Sequence, residues 1–513
     1  MLGKLQIIEG LATRFGKLDP RFRGQDLEGN EMKRHIVNSS VMASLTAVLV
    51  VLWVMLASVP KTSAIPAFSR KYQTSCTTCH NNYPELNDFG EAFKKNGFKF
   101  PKDDEVFVKE PPVLLGSKAQ KEAFPGAVYP GEIPGYLPIA FRYEGNFNVN
   151  RKQPAGFITQ NGFTPRTDLF APNTFTILAV GSFGQNLSFW IDDDISVGAA
   201  NADGGMGDGW LKYNDLGHRL GLPKNALNVR FGQFELDLPF TQAKSIYLSP
   251  YDIYGEPNVA GPSFTANNQT IFGSPQRGIE FGGTPNNGNF DWSVAITNGS
   301  NTGTATRSSK DVYVRLSQKF NLERDPESRN AIQAAGPTGP RDHTSIRVGL
   351  LYYYGRNQLN QDRVLFPTLA TLEEPFYRVG GDLRFKYRKL ELYGLGMFGH
   401  DNNHFLATGA VAPAVEFSGG FAGANYWFYP WLIGTFHYDA VNSAADFANG
   451  TPASQHQTRN RFSPGFQVLV RANIKVVGEY QYTFGQAYPD PANPLNTLFF
   501  RPNTFQTGID YVF

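Results

Sequence analysis

Cysteine is nearly absent from this chain of 513 residues, which has only Cys76 and Cys79. Two thiols exclude a disulfide-rich scaffold. A zinc site would need further Cys or His close by, and none is there. Methionine and histidine are also scarce, at six and eight. Between Ile65 and Gly205 His80 stands without any other His or Met. Charge of one sign is missing as well: 47 Lys and Arg offset 45 Asp and Glu, for a formal net charge of +2. That balance gives no footprint for nucleic acid. Neither a Gly-rich phosphate loop nor H-E-x-x-H nor a nucleophile triad is recognisable. Beyond the N-terminal region there is no apolar run of membrane-helix length, and mean hydropathy is −0.32.

The two cysteines stand in Cys76-Thr77-Thr78-Cys79-His80. C-x-x-C-H reads as a covalent attachment site for a c-type haem, with both thiols forming thioether links and the adjacent imidazole ligating iron. A disulfide clamp or half a zinc site is the plainer alternative. Cys76, Cys79 and His80 are therefore the expected cofactor-binding residues, His80 the axial ligand, and one covalent haem c the expected cofactor. One haem moves one electron at a time.

Upstream, the basic run Met32-Lys33-Arg34-His35 precedes a mostly apolar stretch from Val41 to Val59 and the small residues Thr62-Ser63-Ala64. That order reads as a secretory signal over 32–64, with 1–31 as a mis-assigned upstream start. The apolar part approaches the length of a membrane span, so an uncleaved anchor is the competing reading. Either way the chain leaves the cytoplasm.

A small helical cytochrome domain with its linker is expected over 65–136. Pro66 suits the first turn of a helix expected to deliver Cys76, Cys79 and His80. A second helix is expected with Pro84 in its first turn, Glu85 near its positive end, Lys94 and Lys95 near its negative end, and Gly97 as its stop. Leu86, Phe89 and Phe93 share one face, which is expected to cover the porphyrin. Arg70 and Lys71 are either partners for haem propionates or a solvated pair. Residues 98–136, rich in Pro and Gly, read as irregular linker or plug.

From Leu137 to Phe513 the pattern changes to period two. In Ile474–Phe484 the even positions are apolar or aromatic except Gly478, and the odd ones polar except Val477. Val312, Val314 and Leu316, and again Leu383, Phe385 and Tyr387, alternate with polar neighbours. Such strands suit a soluble sandwich or a membrane barrel. The barrel is favoured by the terminal Phe513, with Tyr511, Ile509, Thr507 and Phe505 on the same face, and by an aromatic content of 14%. Counting alternating segments gives about 16 strands, an even number as in bacterial barrels. The expected fold is thus mainly β: an antiparallel outer-membrane barrel over 137–513 carrying a small helical cytochrome domain. Thr284–Gly288 is expected as a short turn and 321–342 as a long loop on the opposite side.

Ala64-x-Pro66-x-Phe68-Ser69-Arg70, followed by Cys76-x-x-Cys79-His80 and Pro84-x-Leu86-Asn87-x-Phe89-Gly90-x-x-Phe93-Lys94, resembles the fused monohaem cytochrome–porin family of the bacterial outer membrane. The resemblance covers 64–94; the barrel matches in architecture only. It implies electron transfer between an extracellular donor and a periplasmic c-type cytochrome or other electron carrier, across the outer-membrane bilayer. Members from iron-oxidising bacteria use Fe(II), so Fe(II) oxidation is an implied activity. This chain has Arg70-Lys71-Tyr72-Gln73 where those members tend to read Arg-Gln-Thr-Gly, which leaves the donor open. A solute porin whose cytochrome piece is a plug or sensor, and outward electron export, are the competing functions. For the sixth haem ligand the candidates are Met206, Met397, His400, His404 and His437 of the barrel, local Tyr83 or Asn81, a water, or an open site.

Overall fold

The computed structural model describes residues 67–513 apart from 101–103, 129–130, 153–164, 185, 196–204, 242–243, 245, 256–271, 286–288, 301–307, 323–343, 361–370, 403–414, 444–458, 485–486, 490–496 and 501. The signal segment and the upstream residues expected before it lie outside the described residues.

Sixteen strands close into one antiparallel barrel. They are β1 (Ile139–Asn150), β2 (Thr167–Phe183), β3 (Leu187–Ile195), β4 (Gly205–Tyr213), β5 (Asn228–Phe234) and β6 (Gln276–Gly283). Next come β7 (Phe290–Thr297), β8 (Asp311–Asn321), β9 (Ser345–Asn360), β10 (Thr371–Tyr387) and β11 (Leu390–Asp401). The ring ends with β12 (Val415–Tyr429), β13 (Leu432–Ser443), β14 (Arg459–Arg471), β15 (Ile474–Thr483) and β16 (Thr504–Val512). β16 pairs with β1, from Thr504 opposite Asn150 to Val512 opposite Arg142. Phe513 extends this seam, exchanging backbone hydrogen bonds of 2.7 and 2.8 Å with Phe141.

The alternation seen in the sequence is turned inside out relative to a soluble protein. Along β15 the apolar set faces outward, with Tyr480 and Tyr482 exposed, while Lys475, Glu479 and Thr483 are buried toward the lumen. On β8 Leu316 is exposed and Asp311, Arg315 and Ser317 are buried. On β10 Leu383 is exposed while Asp382 and Lys386 are buried. An apolar exterior around a polar, paired interior is the solution a bilayer demands, since closure leaves no backbone group facing lipid unpaired. Exposed Tyr387, Tyr426, Tyr429 and Trp431 sit at one end of this wall, where a barrel places an aromatic girdle.

That end also carries the two-residue turns 388–389, 430–431 and 472–473 and the C-terminus. The longer connection 235–275 leaves from the other end, where Ser443 and Arg459 also end their strands. Short turns mark the periplasmic end and long loops the external one. The expected opposition of 284–288 and 321–342 is corrected here. Antiparallel pairing of β6 with β7 and of β8 with β9 puts the strand ends at Gly283 and Phe290, and at Asn321 and Ser345, on the periplasmic rim, while 286–288 and 323–343 lie outside the described residues. Strand parity, not loop length, decides the side.

The N-terminal segment packs inside that rim. Helix α1 (Ala67–Tyr72) ends where Gln73 takes a left-handed conformation, φ 50°. The cysteines therefore do not ride on this helix as expected; a separate 3-10 turn, Cys76–Thr78, carries the motif. His80 begins a short strand, His80–Asn82, paired with Glu85–Leu86. Pro84 and Glu85 thus belong to a turn and its return strand, not to the following helix. That helix, α2 (Asp88–Lys95), is capped by Asn87 and stopped at Gly97, φ 70°, the stop expected. Phe68, Tyr72, Phe93, Phe98 and Phe100 form an aromatic core, with Tyr72 stacked on Phe100 at 4.3 Å. The linker beyond it is largely exposed.

Candidate functional site

The C-x-x-C-H turn is held from three sides. Asn87 binds it from the helix: its backbone N–H donates to the Cys79 carbonyl (2.9 Å) and its side-chain amide to the Thr78 carbonyl (3.0 Å). Its side-chain oxygen caps α2 by accepting from Gly90 N–H at 2.8 Å. Gly90 lets the helix come this close, since a Cβ there would overlap the Cys79 carbonyl oxygen and press on Leu86. From the turn itself, His80 Nδ1 lies 3.2 Å from the Pro84 carbonyl. A ring nitrogen facing a carbonyl must carry the proton, so Nε2 keeps its lone pair for a metal.

The third side is the barrel wall. Asn81 donates to Glu85 Oε1 at 2.9 Å, and Arg384 of β10 reaches the same carboxylate at 2.7 Å. Arg384 also bonds Glu391 of β11. Lys475 of β15 donates to the Tyr83 carbonyl, and Asn82 to Gln467 of β14. Along α2, Asp88 pairs with Lys319 (2.7 Å), Glu91 with Arg347 (3.3 Å) and Lys95 with Asp291 (2.6 Å). All of these wall residues lie toward the periplasmic ends of their strands, so the segment plugs that mouth. Arg70 and Lys71 both have protein partners, Arg70 half-exposed and Lys71 buried. Arg70 donates to the Leu137 and Ile139 carbonyls at 2.9 and 2.7 Å, and buried Lys71 reaches Ser182 at 3.2 Å.

Electrostatics follow from this enclosure. Burial lowers His80 to about 4, against the raising effect of its carbonyl bonds, so the ring is neutral at pH 7. Burial and then Cys76 push the Cys79 thiol up to about 12. Burial and Glu391 raise Glu85 to about 7 against the pull of Arg384. Burial would raise Glu91 as well, but Arg347, Lys95 and Arg384 outweigh it and hold that carboxyl down to about 2. Lys71 is lowered to about 8, chiefly by burial.

The residues fit a covalently attached haem. Both thiols are unbridged and half-buried on one turn, and His80 follows Cys79 directly, with Nδ1 engaged by the Pro84 carbonyl. They fit zinc poorly: thiolates are the zinc ligands, these thiols are held protonated, and no group of three His, Cys, Asp or Glu among the described residues could hold a metal. Phe93 is buried in the aromatic core, Phe89 of the same helix is half-exposed, and Leu86, half-exposed too, lies on the return strand rather than on the helix face expected.

A second layer lies above the plug. The connection after β5 turns into the lumen, where Tyr247 donates to Asn425 at 2.6 Å and Tyr251 stacks on Phe421 at 3.7 Å. Phe240 of this layer packs on Tyr393 at 4.9 Å and under Arg384 at 5.4 Å. Of the sixth-ligand candidates, exposed Met206 sits at the external end of β4 and buried Met397 toward the external end of β11. His400 bonds Asn402 at 2.7 Å near the external rim, and His404 lies outside the described residues. His437 is fully buried, with Nε2 near Ser249 (3.2 Å) and Asp439 (3.4 Å) and Nδ1 without a partner. Asn81 Oδ1 also lacks a partner, and the Tyr83 ring lies 5.2 Å from that of His80. Sequence reasoning missed Glu85, Arg384 and Lys475 as supports of the turn. Asn87 was missed as well, since the helix was expected to start around Pro84, although Asn before a helical run is a cap signal.

A closed barrel with an apolar exterior and a lumen of paired charges is an outer-membrane β-barrel, and the bacterial outer membrane is its location. No protein family and no curated protein matches the chain by sequence. Among solved structures it is similar to the outer membrane channel DcaP of Acinetobacter baumannii, at 12% identity and TM-score 0.47, over 73% of this chain and 96% of that one. It is also similar to the anion-selective porin from Comamonas acidovorans, at 13% identity and TM-score 0.46, over 73% of this chain and 98% of that one.

Proposed function

We propose that the protein carries single electrons across the outer membrane through one covalent haem c on Cys76 and Cys79, with His80 as axial ligand. The supporting observation is the C-x-x-C-H turn lodged inside the periplasmic mouth of a membrane barrel. The haem supplies a reversible one-electron centre in an otherwise insulating layer. The chain's own residues do the rest. Asn87 and Gly90 seat the turn on α2, Pro84 fixes the His80 tautomer, and the wall cations anchor the segment where a periplasmic carrier can approach it. The resemblance to cytochrome–porins extends the reading to an extracellular donor such as Fe(II), with a periplasmic c-type cytochrome or other electron carrier as the inner partner.

The second reading is a solute porin with a haem-bearing plug. What favours it is the barrel's size, since sixteen strands leave a lumen that side chains alone do not fill. Against it, the plug and the inward connection are stacked in that lumen. The test starts from protein made in cells able to attach c-type haem. A denaturing gel should stain for haem in the wild type and not in Cys76→Ala/Cys79→Ala. In liposomes, external Fe(II) should reduce an enclosed cytochrome only with the wild type. Haem stain surviving the double substitution refutes the attachment. Ion conductance with no electron transfer by the loaded protein gives the porin reading.

A further inference from the structure

We propose that Arg384, on the barrel wall, is a positioning residue for the axial histidine, so that the barrel sets the geometry of the haem turn as well as housing it. The inference rests on the haem reading above. Arg384 is the central member of a short chain of contacts. Its guanidinium reaches Glu85 at 2.7 Å and also bonds Glu391. Glu85 in turn accepts from Asn81, the residue after His80, at 2.9 Å. Glu85 directly follows Pro84, whose carbonyl lies 3.2 Å from His80 Nδ1. Both ends of the turn that carries the imidazole are therefore gathered on one carboxylate, and that carboxylate is tied to the wall by one arginine.

Asymmetry gives the arrangement its consequence. Glu85 and Glu391 have side chains only 3% and 2% exposed, and Arg384 lies between them. Without it, two buried carboxylates would face each other with Lys386 as the remaining cation acting on both and no hydrogen-bonded bridge between them, an arrangement that must relax by movement or protonation. Glu391 is built into β11 and takes a second bond from Asn425 at 2.9 Å. Glu85 stands on a turn a few residues long, so the turn yields. Lys475 holds the Tyr83 carbonyl from another part of the wall, which limits that movement without restoring the bond to Asn81. The partner of a ligating histidine's second nitrogen orients the ring and tunes its basicity. Displacing the Pro84 carbonyl therefore alters the ligand itself.

The test uses the full-length, haem-loaded protein and reads the axial histidine directly, by the paramagnetically shifted proton NMR signals of the His80 ring in the ferric state. Arg384→Lys keeps the charge and loses the fork, and it should shift or split those signals. Glu85→Gln removes a charge but keeps an acceptor for both Asn81 and Arg384, so it should leave them near their wild-type positions. Arg347→Lys alters a wall cation that holds Glu91 and not the turn; it serves as the control and should leave them unchanged. Wild-type signals in Arg384→Lys overturn the proposal. So does an equal disturbance in Arg347→Lys, which would mean general loosening of the plug. Arg384→Ala adds a larger perturbation where it assembles; where it does not, Arg384→Lys decides alone. A wild-type protein without haem would instead sink the functional reading, a separate failure seen before any variant is made.

Discussion

Gly90 shows how much a single missing atom can decide. In a helix interior Ala is normally better than Gly by about 1 kcal/mol. Here the added methyl would have to push α2 away from the Cys79 carbonyl. Overpacking of this kind destabilises by roughly 1–3 kcal/mol, so the clash should exceed the propensity gain. Gly90→Ala should therefore lower the yield of haem-loaded protein and the thermal stability of the plug while leaving the barrel assembled. The checks are haem per protein and the melting of the haem absorbance. A variant as stable and as fully loaded as the wild type would mean that the helix and the turn can separate freely.

At the scale of the element, α2 is an amphipathic helix whose two faces meet different solvents. Phe93 enters an aromatic core, and Asp88, Glu91 and Lys95 meet lumen charges. Exposed ion pairs contribute little, but these are enclosed and the carboxyls respond. Glu91 is held down to about 2, below the ordinary glutamate value of about 4.3, and Asp88 is held down too, by Lys386 and Lys319 outweighing burial. Depressed carboxyls stabilise docking above their unfolded values, and that contribution is lost as pH falls through the folded ones. Glu85, raised to about 7, acts oppositely and favours docking as pH falls below that value. The plug should therefore stay docked through mild acid and loosen only as pH approaches 2. Hydrogen exchange of α2 against pH would show this, and Glu91→Gln should flatten the response between about pH 2 and 4.5. Release of the wild-type helix near pH 5 would contradict it.

For the molecule as a whole, the seam between β16 and β1 closes the sheet. Phe513 contributes two backbone bonds to Phe141 and a ring contact at 5.5 Å. Deleting Phe513 should reduce the amount of folded barrel in the outer membrane, read as loss of the heat-modifiable band on gels. Full yield of the truncated protein would show that closure needs no terminal aromatic. The paired strands themselves should keep their register, because each one-residue slip would turn charged lumen residues such as Arg315 and Asp382 toward lipid.

The barrel and the motif were legible along the chain because each depends on neighbours in sequence. Period two needs only i and i+2, as in Tyr480 and Tyr482, and the C-x-x-C-H motif needs only the spacing of Cys76, Cys79 and His80. Local chemistry likewise places the stop at Gly97, where a left-handed residue ends a helix. Period two sorted the residues of each strand into two faces, and closure put the apolar set outside. Local chemistry could not foresee that α1 would break at Gln73 before the cysteines, because the break answers to packing of Tyr72 against Phe93 and Phe100. The support of the turn by Arg384 and Lys475 was invisible for the same reason. Those residues lie some 300 and 400 positions downstream on strands whose lumen-facing sides only the closed sheet brings together, and contact over such separations is set by topology and register, which local pattern does not encode.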